Sequence, residues 1–150
     1  MKNKILAILT FSTFLSFSSF AEDEIKEGTG SIHILVEGVD EIEGQIGILL
    51  FDNKEGFPTE RSKAFKEVLI PLEEKRLEFS FHDLPYGNYA IAIMHDDNMN
   101  DVLDSNIFGI PKEGVGTSNN VKTFMRAPRF DEAMIVLDQP SMNTTIIINY

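Results

Sequence analysis

One short acidic segment of the chain, residues 95–106, has the residue types and spacing of a metal-binding loop. Its oxygen-bearing side chains occupy alternate positions, at Asp96, Asn98 and Asn100. Calcium takes about six to eight oxygen ligands, which a tight loop supplies from alternate side chains and a backbone carbonyl. The spacing therefore predicts a calcium site that begins at Asp96.

The later positions of this loop agree with a calcium-binding pattern only in part. Counted from Asp96, the carbonyl of Val102 falls at the seventh position and Asp104 at the ninth, and both suit the pattern. The sixth position, usually a glycine that makes the turn, is Asp101. The twelfth, usually a bidentate glutamate, is Ile107. One carboxylate must therefore come from outside the loop pattern.

Glu113 and Asn106 are the nearest residues that could complete the predicted calcium site. The predicted ligands are Asp96, Asn98, Asn100, Val102, Asp104 and Glu113. A site short of one carboxylate binds weakly, but extracellular modules bind calcium with dissociation constants on the order of 10⁻⁴ to 10⁻³ M. In the alternative interpretation the same Asp and Asn side chains cap backbone groups in turns, and no metal binds.

The chain has three histidines, His33, His82 and His95, which suggest a second kind of metal site. If the strands that end near residues 81 and 94 are neighbours, His82 and His95 approach each other and form a zinc or copper site with Asp96. The stronger interpretation is that His95 ends a strand and makes a hydrogen bond to a loop carbonyl or carboxylate, which orders the acidic segment.

The sequence contains no recognisable catalytic constellation. Cysteine is absent, and Ser118 lacks the strand-turn-helix setting of a nucleophile elbow. We therefore predict a non-enzymatic module. A secreted hydrolase or metalloenzyme that uses His95, Asp96 and Glu113 ranks last among the alternatives.

The elements that must position these residues are β-strands. Apolar and β-branched residues alternate with polar ones, or run continuously, in segments bounded by Gly, Pro, Asn and Asp. The predicted strands lie at 31–37, 45–51, 64–72, 76–81, 88–95, 132–137 and 144–150, and we expect the first two to form a hairpin. About seven strands without a long helix predict an all-β, antiparallel two-sheet sandwich of prealbumin-like or immunoglobulin-like type. The polar residues 96–122 are predicted to form one long loop.

Residues 1–21 have the layout of a cleavable secretory signal peptide. Two lysines precede an apolar run over residues 5–20, and Ala21 is a small residue at the cleavage position. The run of 16 residues is shorter than the roughly 20 that a spanning helix needs, so an uncleaved anchor is the weaker alternative. We predict a flexible acidic leader at 22–30, a single domain at 31–150, and a periplasmic or extracellular location.

The charge of the exported part limits its partners. Residues 22–150 carry 11 basic and 24 acidic side chains, a net charge of −13. Such a surface repels the phosphates of nucleic acids and of anionic lipids. We expect no nucleic-acid partner and no transmembrane segment after signal cleavage. The negative charge is instead compatible with a cationic or protein partner at the cell envelope.

Many residues in the middle of the chain match a known family in order. They are Leu84-Pro85-Tyr86-Gly87-Asn88-Tyr89-Ala90, His95-Asp96-Asp97-Asn98-Met99-Asn100, Asp104, Gly109-Ile110-Pro111-Lys112-Glu113-Gly114, Gly116 and Ser118-Asn119-Asn120. This pattern resembles the bacterial "domain of unknown function 2141" family, from about residue 31 to the C-terminus. The resemblance implies a small exported β-sandwich without an established activity. Where this family commonly has glycine, the chain has Asp101.

A wider similarity extends to other sandwich domains. The Pro-x-Gly-x-Tyr turn at 85–89 is similar to prealbumin-like, carboxypeptidase-regulatory and Cna-B type domains, and the acidic loop resembles the calcium loops of bacterial surface-adhesin B domains. These similarities imply modules that bind a ligand or act as spacers, rather than enzymes. The transthyretin-like hydroxyisourate hydrolases end in Tyr-Arg-Gly-Ser, whereas this chain ends in Ile146-Ile147-Ile148-Asn149-Tyr150.

Two functions of different classes therefore stay open. The first is an exported binding or accessory module whose 96–120 segment is ordered by calcium. The second is a metal-free structural or interaction domain whose loop is held by its own side chains.

Overall fold

A computed structural model describes residues 27–124 and 126–150. The predicted signal peptide at 1–21 lies outside the described residues, as does the predicted leader up to residue 26. The described strands are β1 Thr29–Glu37, β2 Gln45–Phe51, β3 Lys66–Pro71, β4 Leu77–Pro85, β5 Gly87–Asp96, β6 Gly114–Thr117, β7 Ile135–Leu137 and β8 Ser141–Ile147. β1 thus begins at Thr29, inside the segment predicted as flexible.

The strands form two sheets, which confirms the predicted all-β sandwich. The three-stranded sheet has the order β4-β1-β8, and the second sheet has the order β3-β2-β5-β6, with β7 paired to the start of β5. All pairs are antiparallel except β1 with β8, which run parallel. The described part of the chain has eight strands rather than about seven, because the short β6 lies in the segment predicted as a continuous loop.

The predicted hairpin of the first two strands is wrong. β1 pairs with β4 and β8, whereas β2 pairs with β3 and β5 in the other sheet. The turn at residues 38–44 therefore carries the chain from one sheet to the other. Alternation identifies which side chains of a strand are buried, but it does not identify the neighbouring strand.

Helix is scarce in the described residues. It consists of two 3-10 turns, Arg61–Lys63 and Ser118–Asn120, and the short helix α1, Phe130–Ala133. α1 replaces the first residues of the strand predicted at 132–137, so that β7 starts only at Ile135. Within the described part of the chain, every helix is too short to cross a lipid bilayer.

The core lies between the two sheets. Its largest fully buried aliphatic side chains are Ile32, Ile34, Val36, Ile46, Ile48, Leu50, Leu84, Ile91, Leu137 and Ile146. β2 is buried along its whole length, as its continuous apolar sequence predicts. The reason is a second cluster on its other face, in which Leu49 and Phe51 pack with Ala92, Phe57 and Phe130. The central strands β2 and β5 therefore form a rigid base for the acidic loop that follows β5.

Candidate metal-binding loop

The acidic loop starts from the end of β5 on the outer face of the larger sheet. Asp96 is the last residue of β5 and lies opposite Gln45 of β2. Successive strand residues point to opposite faces, so Asp96 shares the outer face with Ala92, whereas His95 points to the other side. Asp96 is fully buried, because the loop after it folds back over its carboxylate.

The Asp96 carboxylate holds the loop by accepting hydrogen bonds. Its Oδ1 accepts from the backbone N–H of Asn100 at 3.1 Å, and its Oδ2 accepts from the N–H of Asp101 at 2.9 Å and from Gln45 Nε2 at 2.8 Å. Burial raises the pKa of Asp96, but these donors and the N–H of Met99 outweigh burial, and the pKa lies below its usual value. Asp96 is therefore a buried, ionised residue whose hydrogen bonds fix the conformation of the loop.

Asn98, Asn100 and Asp101 continue this arrangement. The side-chain oxygen of Asn98 accepts from the N–H of Asn100, and that of Asn100 accepts from the N–H of Val102. Asp101 has a φ of 63°, the left-handed conformation that calcium loops give to a glycine at this position. Its Oδ1 accepts a 2.7 Å hydrogen bond from Gln45, which offsets the conformational cost. The sequence therefore makes the required turn without glycine.

Asp104 gathers several of the predicted ligands. Its Oδ2 accepts from the side-chain nitrogen of Asn98 at 2.7 Å and from that of Asn100 at 3.4 Å. Its backbone N–H donates to Glu113 Oε2 at 2.8 Å. The structure thus brings Asn98, Asn100, Asp104 and Glu113 together. The side-chain oxygens of Asp96 are instead hydrogen-bonded to the backbone of the loop.

Glu113 is a buried carboxylate with one unpaired oxygen. The residue is 4% exposed, and its Oε1 atom has no hydrogen-bond partner among the described residues. Burial is the largest cause that raises the pKa of Glu113; the hydrogen bond from Asp104 lowers it, and the negative charges of Asp97, Asp104 and Asp96 raise it further. This carboxylate is ionised only at an energetic cost, unless a cation lies beside it.

The loop departs from the calcium pattern after Asp104. Ile107, at the twelfth position, is 93% exposed at the tip of a turn. The side-chain oxygen of Asn106 accepts the N–H groups of Phe108 and Ile110 and so closes that turn. Of the two residues predicted to complete the site, Glu113 therefore contacts the loop, whereas the side-chain oxygen of Asn106 is used in closing the turn at 106–110.

No three Asp, Glu or His side chains converge on one point in the part of the chain that the structure describes. Asp104 and Glu113 are joined through the backbone N–H of Asp104, and the amide nitrogens of Asn98 and Asn100 face Asp104 Oδ2. Both amides would have to rotate to present their oxygens to an ion.

The weaker alternative, in which His82 and His95 approach each other, is wrong. His82 is on β4 and His95 on β5, which belong to different sheets. His95 is buried; its Nε2 donates to the carbonyl of Glu43 at 2.8 Å, and its Nδ1 accepts from the Tyr150 hydroxyl at 2.7 Å. His95 thus bonds a loop carbonyl as predicted, but this carbonyl belongs to the 38–44 turn. His82 instead lies beside His33, with 6.1 Å between the ring centroids.

The sequence did not predict the positioning roles of three residues. Gln45 binds both Asp96 and Asp101, and Arg61 donates to the carbonyl of Asp101 at 2.7 Å. The fully buried Ser118 hydroxyl bonds Ile91 N–H and the carbonyl of α1's last residue, and so fixes the segment after β6. Gln45 could have been recognised as a buried polar residue at the start of an otherwise apolar strand. Nothing local distinguishes Arg61 or Ser118.

Comparison with known proteins identifies the family alone. No curated protein and no solved structure matches the chain. A family model described as "Uncharacterized protein conserved in bacteria (DUF2141)" matches residues 34–145. This match includes residues of all eight strands and the whole acidic loop. The chain therefore belongs to the DUF2141 family of uncharacterized bacterial proteins.

Proposed function

We propose that this protein is an exported, non-enzymatic module of the bacterial envelope whose 96–113 segment binds one calcium ion. The unpaired oxygen of the buried Glu113 carboxylate carries the proposal. A buried ionised carboxylate with one unpaired oxygen is unfavourable, so the group either takes up a proton or binds a cation. A calcium ion between Glu113 and Asp104 would remove this penalty.

The charge of the segment supports a cation. Residues 96–113 contain five carboxylates and one lysine. Three of these carboxylates act on Glu113 and make its ionisation still less favourable. Arg61 approaches the loop, but its guanidinium donates to the Asp101 carbonyl and pairs with Glu67 at 3.0 Å. The negative charge near Glu113 therefore favours a bound divalent ion.

Oxygen chemistry favours calcium among the common divalent ions. Carboxylates and amide carbonyls are hard ligands, and calcium accepts irregular sets of them together with water. Glu113 Oε1, the Asp104 carboxylate and the rotated amide oxygens of Asn98 and Asn100 would supply four ligands. Asp96 would hold the loop beneath the ion, and water would fill the remaining positions.

Thermal unfolding of the mature protein tests the calcium proposal. A ligand that binds only the folded state raises Tm. We expect millimolar calcium to raise Tm relative to EDTA, and we expect Asp104→Ala and Glu113→Gln to abolish that shift. Glu73→Gln is the matched control, because Glu73 is an exposed carboxylate outside the loop. Equal wild-type melting temperatures in calcium and in EDTA would refute calcium binding.

The second candidate function is a metal-free interaction domain. One observation favours it: the side-chain oxygens of Asp96, Asn98 and Asn100 all accept backbone N–H groups of the loop, which orders it without an ion. In this case no cation offsets the burial that raises the pKa of Glu113. A wild-type Tm that is the same in calcium and in EDTA but falls as pH rises would favour this metal-free alternative over calcium binding.

Export is tested separately. We expect the protein, expressed in a bacterium, to be recovered from the periplasm or medium with Glu22 as its first residue, as mass spectrometry of the N-terminus would report. Recovery from the cytoplasm with residues 1–21 attached would contradict export, whatever the result with calcium.

A further inference from the structure

The three-stranded sheet presents a polar outer face on the side of the molecule opposite to the acidic loop. β1 turns Ile32 and Ile34 into the core and leaves Ser31 and His33 on the outer face. β4 contributes Ser80 and His82 to the same face, and Asn143 of β8 lies opposite His33. Two histidines from different strands thus meet on this outer face.

The two rings are close and are held in place by serines. The centroids of His33 and His82 are 6.1 Å apart, with 74° between the ring planes. His33 Nδ1 lies 2.6 Å from Ser80 Oγ, and His82 Nδ1 lies 3.0 Å from Ser31 Oγ. The Nε2 atom of neither ring has a hydrogen-bond partner among the residues described. These two nitrogens are therefore available to a ligand.

We propose that His33 and His82 form a two-histidine binding site for a divalent transition-metal ion, with Cu²⁺ bound more tightly than Zn²⁺. Neutral imidazole suits both ions, and Cu²⁺ forms the stronger complexes with a given set of nitrogen and oxygen ligands. A metal ion about 2.0–2.1 Å from each ring nitrogen holds two imidazole centroids roughly 4.5 to 6.5 Å apart, depending on the angle between the two ligands. The observed separation of 6.1 Å falls within that range.

The serines complete the geometry of a metal site. A metal-bound histidine donates its other ring N–H to an oxygen, which fixes the tautomer and the ring orientation. When His33 and His82 donate from Nδ1 to Ser80 and Ser31, each Nε2 keeps its lone pair for the metal. Asn143 and water would fill the remaining positions. This site does not depend on the proposed calcium loop, since it uses nitrogen ligands on the other sheet.

Calorimetric titration of the untagged mature protein with Cu²⁺ and Zn²⁺, in excess calcium to saturate the acidic loop, tests the proposal. We expect one ion per chain and an at least tenfold loss of affinity in each of His33→Ala and His82→Ala. Ser80→Ala should weaken binding about tenfold or more. Thr145→Ala, an exposed residue of the same face, should leave affinity unchanged.

Wild-type NMR guards against variants that fail to fold. Substoichiometric Cu²⁺ should broaden the ring signals of His33 and His82 and leave those of the buried His95 sharp. Unchanged affinity in either histidine variant, broadening of one ring alone, or no binding at submillimolar metal would overturn the two-histidine site.

Discussion

The substitution Glu113→Gln separates the two consequences of a buried, unpaired carboxylate. The side chain is 4% exposed, one of its oxygens has no partner among the described residues, and neighbouring carboxylates raise its pKa. Glutamine keeps the shape and retains an oxygen that can accept the N–H of Asp104. It removes the charge and places an amide NH₂ group where the unpaired oxygen lies. We therefore expect opposite effects of this change with and without calcium.

Without calcium, the variant should be the more stable protein at neutral pH. A buried polar group without a partner costs about 1–3 kcal/mol, so relieving part of that cost should add about 1–2 kcal/mol to the free energy of unfolding. For a domain of this size, that corresponds to a rise in Tm of roughly 4–8 °C. With calcium, the wild type gains about 1–2 kcal/mol at about 5 mM ion, if the dissociation constant is on the order of 10⁻⁴ to 10⁻³ M. The variant should gain nothing.

The pH dependence has a defined sign. Because the pKa of Glu113 is raised in the folded state, its contribution to stability is fully present below the pKa of the unfolded chain. That contribution is lost as pH rises through the folded-state pKa. In EDTA, the stability difference between variant and wild type should therefore be smallest near about pH 4 and grow toward about pH 8.

Urea unfolding of both proteins at several pH values, in EDTA and in calcium, measures these differences. Glu73→Gln supplies the baseline for loss of an exposed carboxylate. If Glu113→Gln is no more stable than wild type in EDTA at any pH, Glu113 is not a buried unpaired charge. If both proteins gain the same stability from calcium, Glu113 is not a ligand.

Three further substitutions test the architecture around the loop. Ser118→Ala should lower the free energy of unfolding by about 1–3 kcal/mol, because it leaves two buried backbone groups unpaired; Ser62→Ala, at an exposed serine, should cost almost nothing in the same urea titration. Asp101→Ala should destabilise more than Asp101→Gly, since only glycine adopts the φ of 63° without strain; equal losses would show that strain is unimportant. Gly44→Ala should markedly lower Tm, because a Cβ there overlaps the Asp96 carbonyl oxygen and φ is positive; an unchanged Tm would contradict this packing.

The strands were predictable because the side-chain pattern that indicates a strand lies within the strand itself. The small and large residues of 88–95 indicate a central strand, and β5 indeed pairs with β2, β6 and β7. The continuous apolar run of β2 predicts burial on both faces, which the structure confirms. Each of these predictions depends only on side chains within one strand, and side-chain periodicity carries that information directly.

Strand pairing and the small β6 were not predictable in the same way. β1 and β2 are joined by a short turn that would suit a hairpin, yet they pair in different sheets. β6 contains two glycines and lacks an apolar pattern; its Gly116 is required because a Cβ would lie 2.8 Å from Ile146 of β8. Contacts between distant segments determine both features, and they leave no periodic signal in the chain.

In the acidic loop, two carboxylates of similar chemistry have different pKa values because their surroundings differ. Asp96 and Glu113 are both buried carboxylates of the same segment, and composition alone treats them as equivalent ligands. Asp96 accepts N–H groups from Gln45 and from the loop backbone, and its pKa falls; Glu113 accepts one N–H from Asp104, and its pKa rises. The hydrogen bonds of the protein already satisfy the Asp96 carboxylate, and they leave one oxygen of Glu113 unpaired.

Calcium binding should therefore change the surroundings of Glu113, Asn98 and Asn100 while the Asp96 hydrogen bonds persist. The Asp101 N–H donates to Asp96 Oδ2. A backbone amide signal of Asp101 that shifts less on adding calcium than the Asn98 and Asn100 side-chain amide signals would support this division, and the reverse order would contradict it.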